Sequence, residues 1–397
     1  MTSTSTGFGQ PACGLEGVYV NEQQVLSGVW NAGMPRRQFL RNSALLAVPF
    51  VLGGISLPAA AAYVPPTRTR GTTILSVKTY GAVGDGIHDD TAAFQAAINA
   101  LPSAGGTVVV PAGTYLIDPV KRVSLRSYML LSMDPNAILK AKTNSAIRSY
   151  ILYAGNRTQV EIAGGQLIGD RDTHGYVTTS TSEWNHGIQI IACTHVTIRD
   201  LYVAKCAGDG ICTGGNTSDL VITNVIATQN RRQGLSITQA NNVKVYDSEF
   251  SYTQGTSPEC GIDIEPDNDY VASNIWIENC RLNNNKKYGI NIYKRVSQVT
   301  LNACTIESNG SCGVVTVECS YVTVQNCTVQ NNSATGVQFY SGSNLVYKNS
   351  TSYNNYNRLG NKDRVDFYLT GYASSVSRDM LIKSTATNVT IGTNLFK

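Results

Sequence analysis

From residue 186 onward, a glycine followed by an aliphatic residue returns at a near-constant interval: His186-Gly187-Ile188, Asp209-Gly210-Ile211, Gln233-Gly234-Leu235, Cys260-Gly261-Ile262, Tyr288-Gly289-Ile290, Cys312-Gly313-Val314 and Thr335-Gly336-Val337. Around each glycine, apolar and polar residues alternate with a period of two rather than 3.6, which predicts strands and excludes a helical or leucine-rich repeat. A second strand in each period ends on an Asx residue at Asp200, Asn224, Asp247, Asn279, Asn326 and Asn349, with Ala303 the exception. Two strands and two turns per period of about 23 residues describe one coil of a solenoid. No coil is stable alone, because its aliphatic residues are buried only against the coils above and below. Those coils stack at ~4.8 Å, and each buried aliphatic contributes roughly 1.5–3 kcal/mol. Asn at the same turn of successive coils bonds its neighbours and tolerates left-handed backbone angles. The stretch from Ser127 to Ile168 has the same texture with weaker punctuation, so the winding is expected to begin near residue 106.

An open coil end would expose strand edges and core, so the N-terminal side needs a lid. The run from Val77 to Asp90 leads into Thr91-Ala-Ala-Phe-Gln-Ala-Ala-Ile-Asn99, an amphipathic helix that Asp89 or Asp90 can cap. Asp85, Asp89 and Asp90 read as capping and turn residues rather than metal ligands. This segment, with Gly105-Gly-Thr-Val-Val-Val-Pro-Ala-Gly-Thr-Tyr115 after it, resembles the opening of the pectate-lyase-like superfamily. That superfamily includes pectin lyases, polygalacturonases, rhamnogalacturonases, mannuronan epimerases and phage tailspikes, and with the coils the resemblance spans residues 74–360. It implies an all-β, right-handed parallel β-helix over residues 63–397, with a short N-terminal capping helix inside a cap at about 74–105. It is specific for fold and weak for reaction. Polygalacturonase-type hydrolases carry Gly-Asp-Asp and Gly-His-Gly on successive coils, whereas this chain has Gly208-Asp209-Gly210 and Gln233-Gly234. Mannuronan epimerases are similar around Gly169-Asp-Arg-Asp172, but their Tyr-Gly-Phe-Asp-Pro-His is replaced by Asp209-Gly-Ile-Cys-Thr-Gly214. No subfamily's catalytic residues transfer.

Composition supports many short strands with tight polar turns: 36 Gly, 21 Tyr and only 15% charged residues among 397. A net charge of +4 leaves no nucleic-acid footprint. Pro35-Arg36-Arg37-Gln38-Phe39-Leu40-Arg41, an apolar stretch from Ala44 to Leu57 and the small run Ala59–Ala62 resemble a twin-arginine export signal. The apolar run is too short for stable membrane insertion. Residues 1–62 are thus expected to be an N-terminal extension and signal peptide, read from Met1 or Met34. The translocase is then a transient partner, and the chain is periplasmic or secreted, and monomeric. Cys280, Cys304 and Cys327 repeat at the coil period, which favours a stacked ladder of small apolar side chains over disulfides. No CxxC pair is present, so zinc is not expected and no metal site is assigned.

If the aliphatic after each glycine points inward, the next residue points outward, which builds a file Gln189, Cys212, Ser236, Asp263, Asn291, Val315, Gln338. A parallel file includes Glu265, Tyr293 and Tyr340, and only the coil Gly261-Ile-Asp-Ile-Glu265 places acids in both. Asp263 and Glu265, two apart on a solvent-facing strand, are expected about 6–7 Å from each other. Long turns flank this coil, at 255–259 and 267–270, and build groove walls. We therefore take Asp263, Glu265, Asp209 and Arg232 as candidate catalytic residues. Candidate substrate contacts are His186, Trp184, Arg231, Tyr293, Lys294, Asp172 and His174. For the two arginines solvated turn positions are the alternative, and for the segment carrying Asp172, His174 and Trp184 a salt-bridged loop is. Cations beside an acid pair suit a polymer of uronic acids, an acidic polysaccharide. Inverting hydrolysis needs two carboxyls about 6.5–9.5 Å apart, one protonated as acid and one activating water. β-Elimination needs a base, a cation and often Ca²⁺, the one cofactor to consider, while epimerisation shares the proton abstraction. A non-catalytic glycan-binding spike or adhesin is the alternative outside enzymology.

Overall fold

The computed structural model describes residues 63–177, 183–356, 379–383 and 385–396. The export signal and both starts, Met1 and Met34, lie outside the described residues. Among those described, the chain winds as a parallel β-helix, its strands forming a broad sheet of 22 and a narrow sheet of 10. One coil runs through Ile262–Ile264 in the narrow sheet and then Ala272–Glu278 and Arg281–Asn283 in the broad one. These pair in parallel with Ile290–Tyr293, Val296–Asn302 and Thr305–Glu307 of the next coil.

A coil therefore has three strands, where the alternation pattern had suggested two. The Asx residue is a bend inside what reads as one continuous strand: Asp200, Asn224, Asp247, Asn279, Ala303, Asn326 and Asn349 all have φ between 49° and 55°. In Thr194–Ala204 and Thr217–Thr228 pairing resumes directly after the bend, skipping only Asp200 and Asn224 there, so the period-two pattern has no gap to mark it. Asn tolerates this left-handed backbone, and the expected bonds form, with Asn224 Nδ2 donating to Asp200 Oδ1 and Asn279 Nδ2 to Asp247 Oδ1, both at 2.6 Å.

The recurring glycine is a matter of space rather than backbone angle. A Cβ on Gly210, Gly234, Gly261, Gly289 or Gly313 would lie only 2.6–2.8 Å from the carbonyl oxygen of the corresponding glycine one coil on. The residues after these glycines, Ile188, Ile211, Leu235, Ile262, Ile290, Val314 and Val337, are fully buried and make one continuous core file. Cys280, Cys304 and Cys327 are free and buried at one station of the coil, as the period predicted. A second ladder, not anticipated, stands in the turn between the two sheets. Asn285 Nδ2 donates to Asn309 Oδ1 (2.9 Å), Asn309 to Asn332 (2.9 Å), Asn332 to Asn355 (2.8 Å) and Asn355 to Asp379 (2.6 Å), all buried.

The N-terminal end is closed by helix Thr91–Asn99, which buries Phe94, Ala97 and Ile98. Asp89 accepts from Thr91 N and Oγ1, Asp90 accepts from Val83 N and Gly84 N, and Asp85 accepts from Ile87 N and His88 N. All three acids are occupied by caps and turns. No helix among the described residues is long and apolar enough to cross a membrane.

Candidate functional site

The narrow sheet carries the residues singled out above. Gln189, Cys212, Ser236, Asp263, Asn291, Val315 and Gln338 are register partners in seven successive strands, so the file exists as read. The expectation that this file faces solvent is corrected. Asp263 is only 3% exposed, and Gln189, Ser236 and Asn291 are buried as well. The inward side is taken by Ile262 and Ile264, so Asp263 does point away from the core. A turn residue of the coil before and the strand residue beside it on the coil after cover it, however. Gln233 Nε2 donates to Asp263 Oδ2 (2.8 Å) and Asn291 Nδ2 to Oδ1 (2.9 Å).

Asp209, fully buried just before Gly210, accepts from Ser236 Oγ (2.8 Å), Gln233 N (3.2 Å) and Arg232 Nη1 (3.3 Å). Arg232 also reaches Glu183, Nε to Oε2 at 3.4 Å. Burial works against the arginine's charge, but Asp209, Asp263 and Glu183 outweigh it and hold the guanidinium firmly protonated. Glu265 forms the half-buried, outer edge of the group. Four carboxyls thus surround one cation, and a buried carboxylate without a partner is expensive, so part of the excess charge is removed by retained protons. Burial first, and then the neighbouring Asp263, push the Glu265 carboxyl up to about 7. Asp263 is also raised, chiefly by burial, and Asp209 likewise.

The remaining candidates divide among four places. His186 is buried beside Asp209 and is no substrate contact in this structure. Its Nδ1 accepts from Asp209 N at 3.1 Å, its ring stacks on Tyr150 with centroids 5.7 Å apart, and burial followed by Arg232 lowers it to about 3, so it stays neutral. Its titration range, which had favoured a functional role, is removed by that burial. Trp184 is 40% exposed and lies under the Arg148 guanidinium at 4.5 Å. On the coil above the acids, Tyr293 and Lys294 are partly exposed, and Lys294 lies 3.6 Å from Glu318. Arg231, Asp172 and His174 fall on the turn side, apart from the acids in their contacts. Arg231 stacks on Tyr176 (4.2 Å), Asp172 pairs with Lys205 (2.7 Å), and buried His174 bonds Asp170 through Nδ1 (2.9 Å). Asp172 and His174 thus have the partners of a salt-bridged loop, while Arg231 is held on a tyrosine ring. The long turns at 255–259 and 267–270 are tied down by Glu259 Oε1 to Gly255 N (2.8 Å) and Asp267 Oδ2 to Gln239 Nε2 (2.5 Å).

Arg122, Arg148, Tyr150 and Tyr153, below the acids on the same sheet, were not anticipated. Arg122 lies 3.8 Å over Tyr153, and the two tyrosines stack at 5.9 Å. Their coil lacks the glycine signature, because Ile151 stands between the register partners of His186 and Ile188, where other coils have glycine. Among the described residues, His186, Asp209 and Cys212 form a grouping with metal-ligand side chains. It does not suit a cation: Nδ1 already accepts a backbone N–H, the Asp209 carboxylate faces Arg232, and burial pushes the Cys212 thiol far up.

The sequence comparisons agree with this architecture. The family profile described as "Right handed beta helix region" matches residues 166–318 and 259–375, together more than half of the 397 residues, and the chain belongs to that family. An uncharacterized protein, YclG, of Bacillus subtilis is 31% identical over 220 residues, 48% of this chain and 38% of that one. The mannuronan C5-epimerase AlgE5 of Azotobacter vinelandii is 28% identical over 253 residues, 62% of this chain and 23% of its own. The chain thus spans less than two fifths of the length of these curated relatives. Among solved structures, PfbA, a surface adhesin of Streptococcus pneumoniae, superposes with a TM-score of 0.59 at 18% identity, covering 82% of this chain and 90% of that one.

Proposed function

We propose that this chain is an exported enzyme that cleaves glycosidic bonds of an acidic polysaccharide, with Glu265 as the proton-transferring group. The observation that carries this reading is a carboxyl at the rim of a buried acid cluster, pushed up to about 7 by burial and by Asp263. General acid–base catalysis works best when the catalytic pKa lies near the working pH, and strongly perturbed acids gather at functional sites. In hydrolysis the protonated Glu265 gives its proton to the glycosidic oxygen as the bond breaks, a water molecule adds its hydroxyl to the anomeric carbon, and the water's remaining proton restores the Glu265 carboxyl. Asp263, close beside it in the chain and held by Gln233 and Asn291, keeps a negative charge from settling on Glu265 too early. The partly exposed Lys294 and Tyr293 around the rim suit a substrate that carries carboxylates.

Hydrolysis is favoured over β-elimination because the cation nearest the acids is occupied: Arg232 faces Asp209 and Glu183. The likeness to a mannuronan epimerase gives a second reading, in which ionised Glu265 abstracts a proton from a uronate. One assay separates these. Incubated with pectin, alginate and rhamnogalacturonan, a hydrolase releases reducing ends without near-ultraviolet absorbance. A lyase adds that absorbance, an epimerase changes neither, and its product differs only in sugar stereochemistry. Glu265→Gln should lower the rate by about 10²–10⁴-fold. Full activity in that variant, or no change in any of the three polymers with the wild-type chain, rules the reading out.

A further inference from the structure

The segment just after the small-residue run, Tyr63–Arg70, lies in an extended course across the outer face of the broad sheet. Its anchoring is far stronger than a connecting segment requires. Arg68 is 4% exposed, and its guanidinium meets Thr197 Oγ1, Val196 O and Asp219 Oδ2, each at 2.8 Å. Thr69 N donates to Gln159 Oε1 and Arg70 pairs with Glu161. At the far end the Tyr63 ring stacks on Tyr246 with centroids 3.7 Å apart and planes 13° from parallel, and Tyr63 N donates to Asp247 Oδ2 at 2.9 Å.

Asp247 is unlike the aspartate two stations earlier in the solenoid. Asp200 pairs with Arg199 at 2.6 Å, whereas Asp247 makes no side-chain ion pair among the described residues, its other oxygen accepting from the neutral Asn279 amide. A carboxylate so placed, aimed at a backbone nitrogen next to Ala60-Ala61-Ala62, matches a charge that the uncut chain does not carry.

We propose that Tyr63 is the amino terminus of the processed protein and that Asp247, with Tyr246, forms a built-in site for its α-ammonium group. The proposal rests on the export part of the reading above. A signal peptidase hydrolyses the Ala62–Tyr63 peptide bond. The hydroxyl of water goes to the Ala62 acyl carbon and a proton to the Tyr63 nitrogen, which at neutral pH takes up another. The neutral N–H donor becomes a cationic one, which adds an ion pair to the existing hydrogen bond and locks the severed end to the sheet.

The test is mass spectrometry of the amino terminus after expression of the full chain in a bacterium with a working twin-arginine pathway. A processed chain starting at Tyr63 is expected. A processed chain starting elsewhere overturns this inference while leaving export intact, and an unprocessed cytoplasmic chain overturns both, with polysaccharide activity still measurable on its own. On the purified processed protein, reductive methylation with formaldehyde should label the Tyr63 amine about tenfold more slowly than the amine of a free Tyr-Val-Pro peptide. Asp247→Asn, which keeps the shape and an acceptor for Tyr63, should bring labelling close to the peptide rate. Labelling of the wild-type terminus at the peptide rate overturns the pairing without any variant.

Discussion

Glu265 owes its acidity to what lies beneath it. Burial and Asp263 both oppose its ionisation, which places its folded-state titration at about 7 against 4.5 in an unfolded chain. Between those values the folded protein holds a proton that the unfolded chain has released, so stability falls as pH rises from about 4.5 to 7 and levels off above. Glu265→Gln has no proton to lose. Its Tm should match the wild type near pH 4 and exceed it at pH 8, and thermal denaturation at both pH values checks this. A wild-type advantage at pH 8 would mean that the carboxylate is stabilised, contrary to its surroundings. That Asp263 and Glu265 share one coil was legible from the glycine spacing. That Asp263 is covered was not, because Gln233 and Asn291 come from adjacent coils, and alternation along one strand carries no record of what folds over it. His186 illustrates the same limit: its residue type suggests titration, while its packing under Tyr150 and beside Asp209 holds it neutral.

At the level of the coil, two devices set the stacking. The glycine file admits no side chain: a Cβ at residue 261 would meet Gly289 O at 2.7 Å and Asn285 Nδ2 at 2.8 Å. Gly261→Ala should therefore destabilise by about 1–3 kcal/mol, the usual range for overpacking, as measured by denaturant unfolding. A neutral outcome would show that coils can separate slightly without loss. The buried asparagine ladder is the second device. Asn309→Ala removes the partner of both Asn285 and Asn332, at about 1–3 kcal/mol for each group left unsatisfied. Cleavage of the folded state by protease should increase in step with that loss. The glycine file announced itself because glycine precedes each aliphatic. The asparagine ladder was hidden among the adjacent Asn283, Asn284 and Asn285, where only stacking shows which of the two buried ones, Asn283 and Asn285, joins it. The lower coils were read with less register for a concrete reason, since Ile151 stands where the signature glycine would be, and Arg148, Tyr150 and Tyr153 went unrecognised with it.

Over the whole molecule, the narrow sheet changes character along the solenoid axis. Aromatic rings and guanidinium groups, at Arg122, Tyr153, Arg148 and Trp184, lie on the lower coils, and the acid cluster sits in the middle. A small apolar cluster of Cys312, Val315 and Ala334 lies above. This sequence of surfaces gives a polymer lying along the axis a direction, with an aromatic on one side of Glu265 against which a sugar ring can stack. Trp184→Ala should then raise KM for the polysaccharide several-fold with little change in kcat, whereas an equal fall in kcat would place Trp184 in the chemistry itself. The central claim is that Glu265 acts as an acid on an acidic polysaccharide, and the pH dependence of kcat/KM tests it most directly. The account predicts a rate that holds below pH 7, declines about tenfold per unit above it, and is nearly abolished in Glu265→Gln. A rate that rises through pH 7, or a variant as active as the wild type, would contradict it.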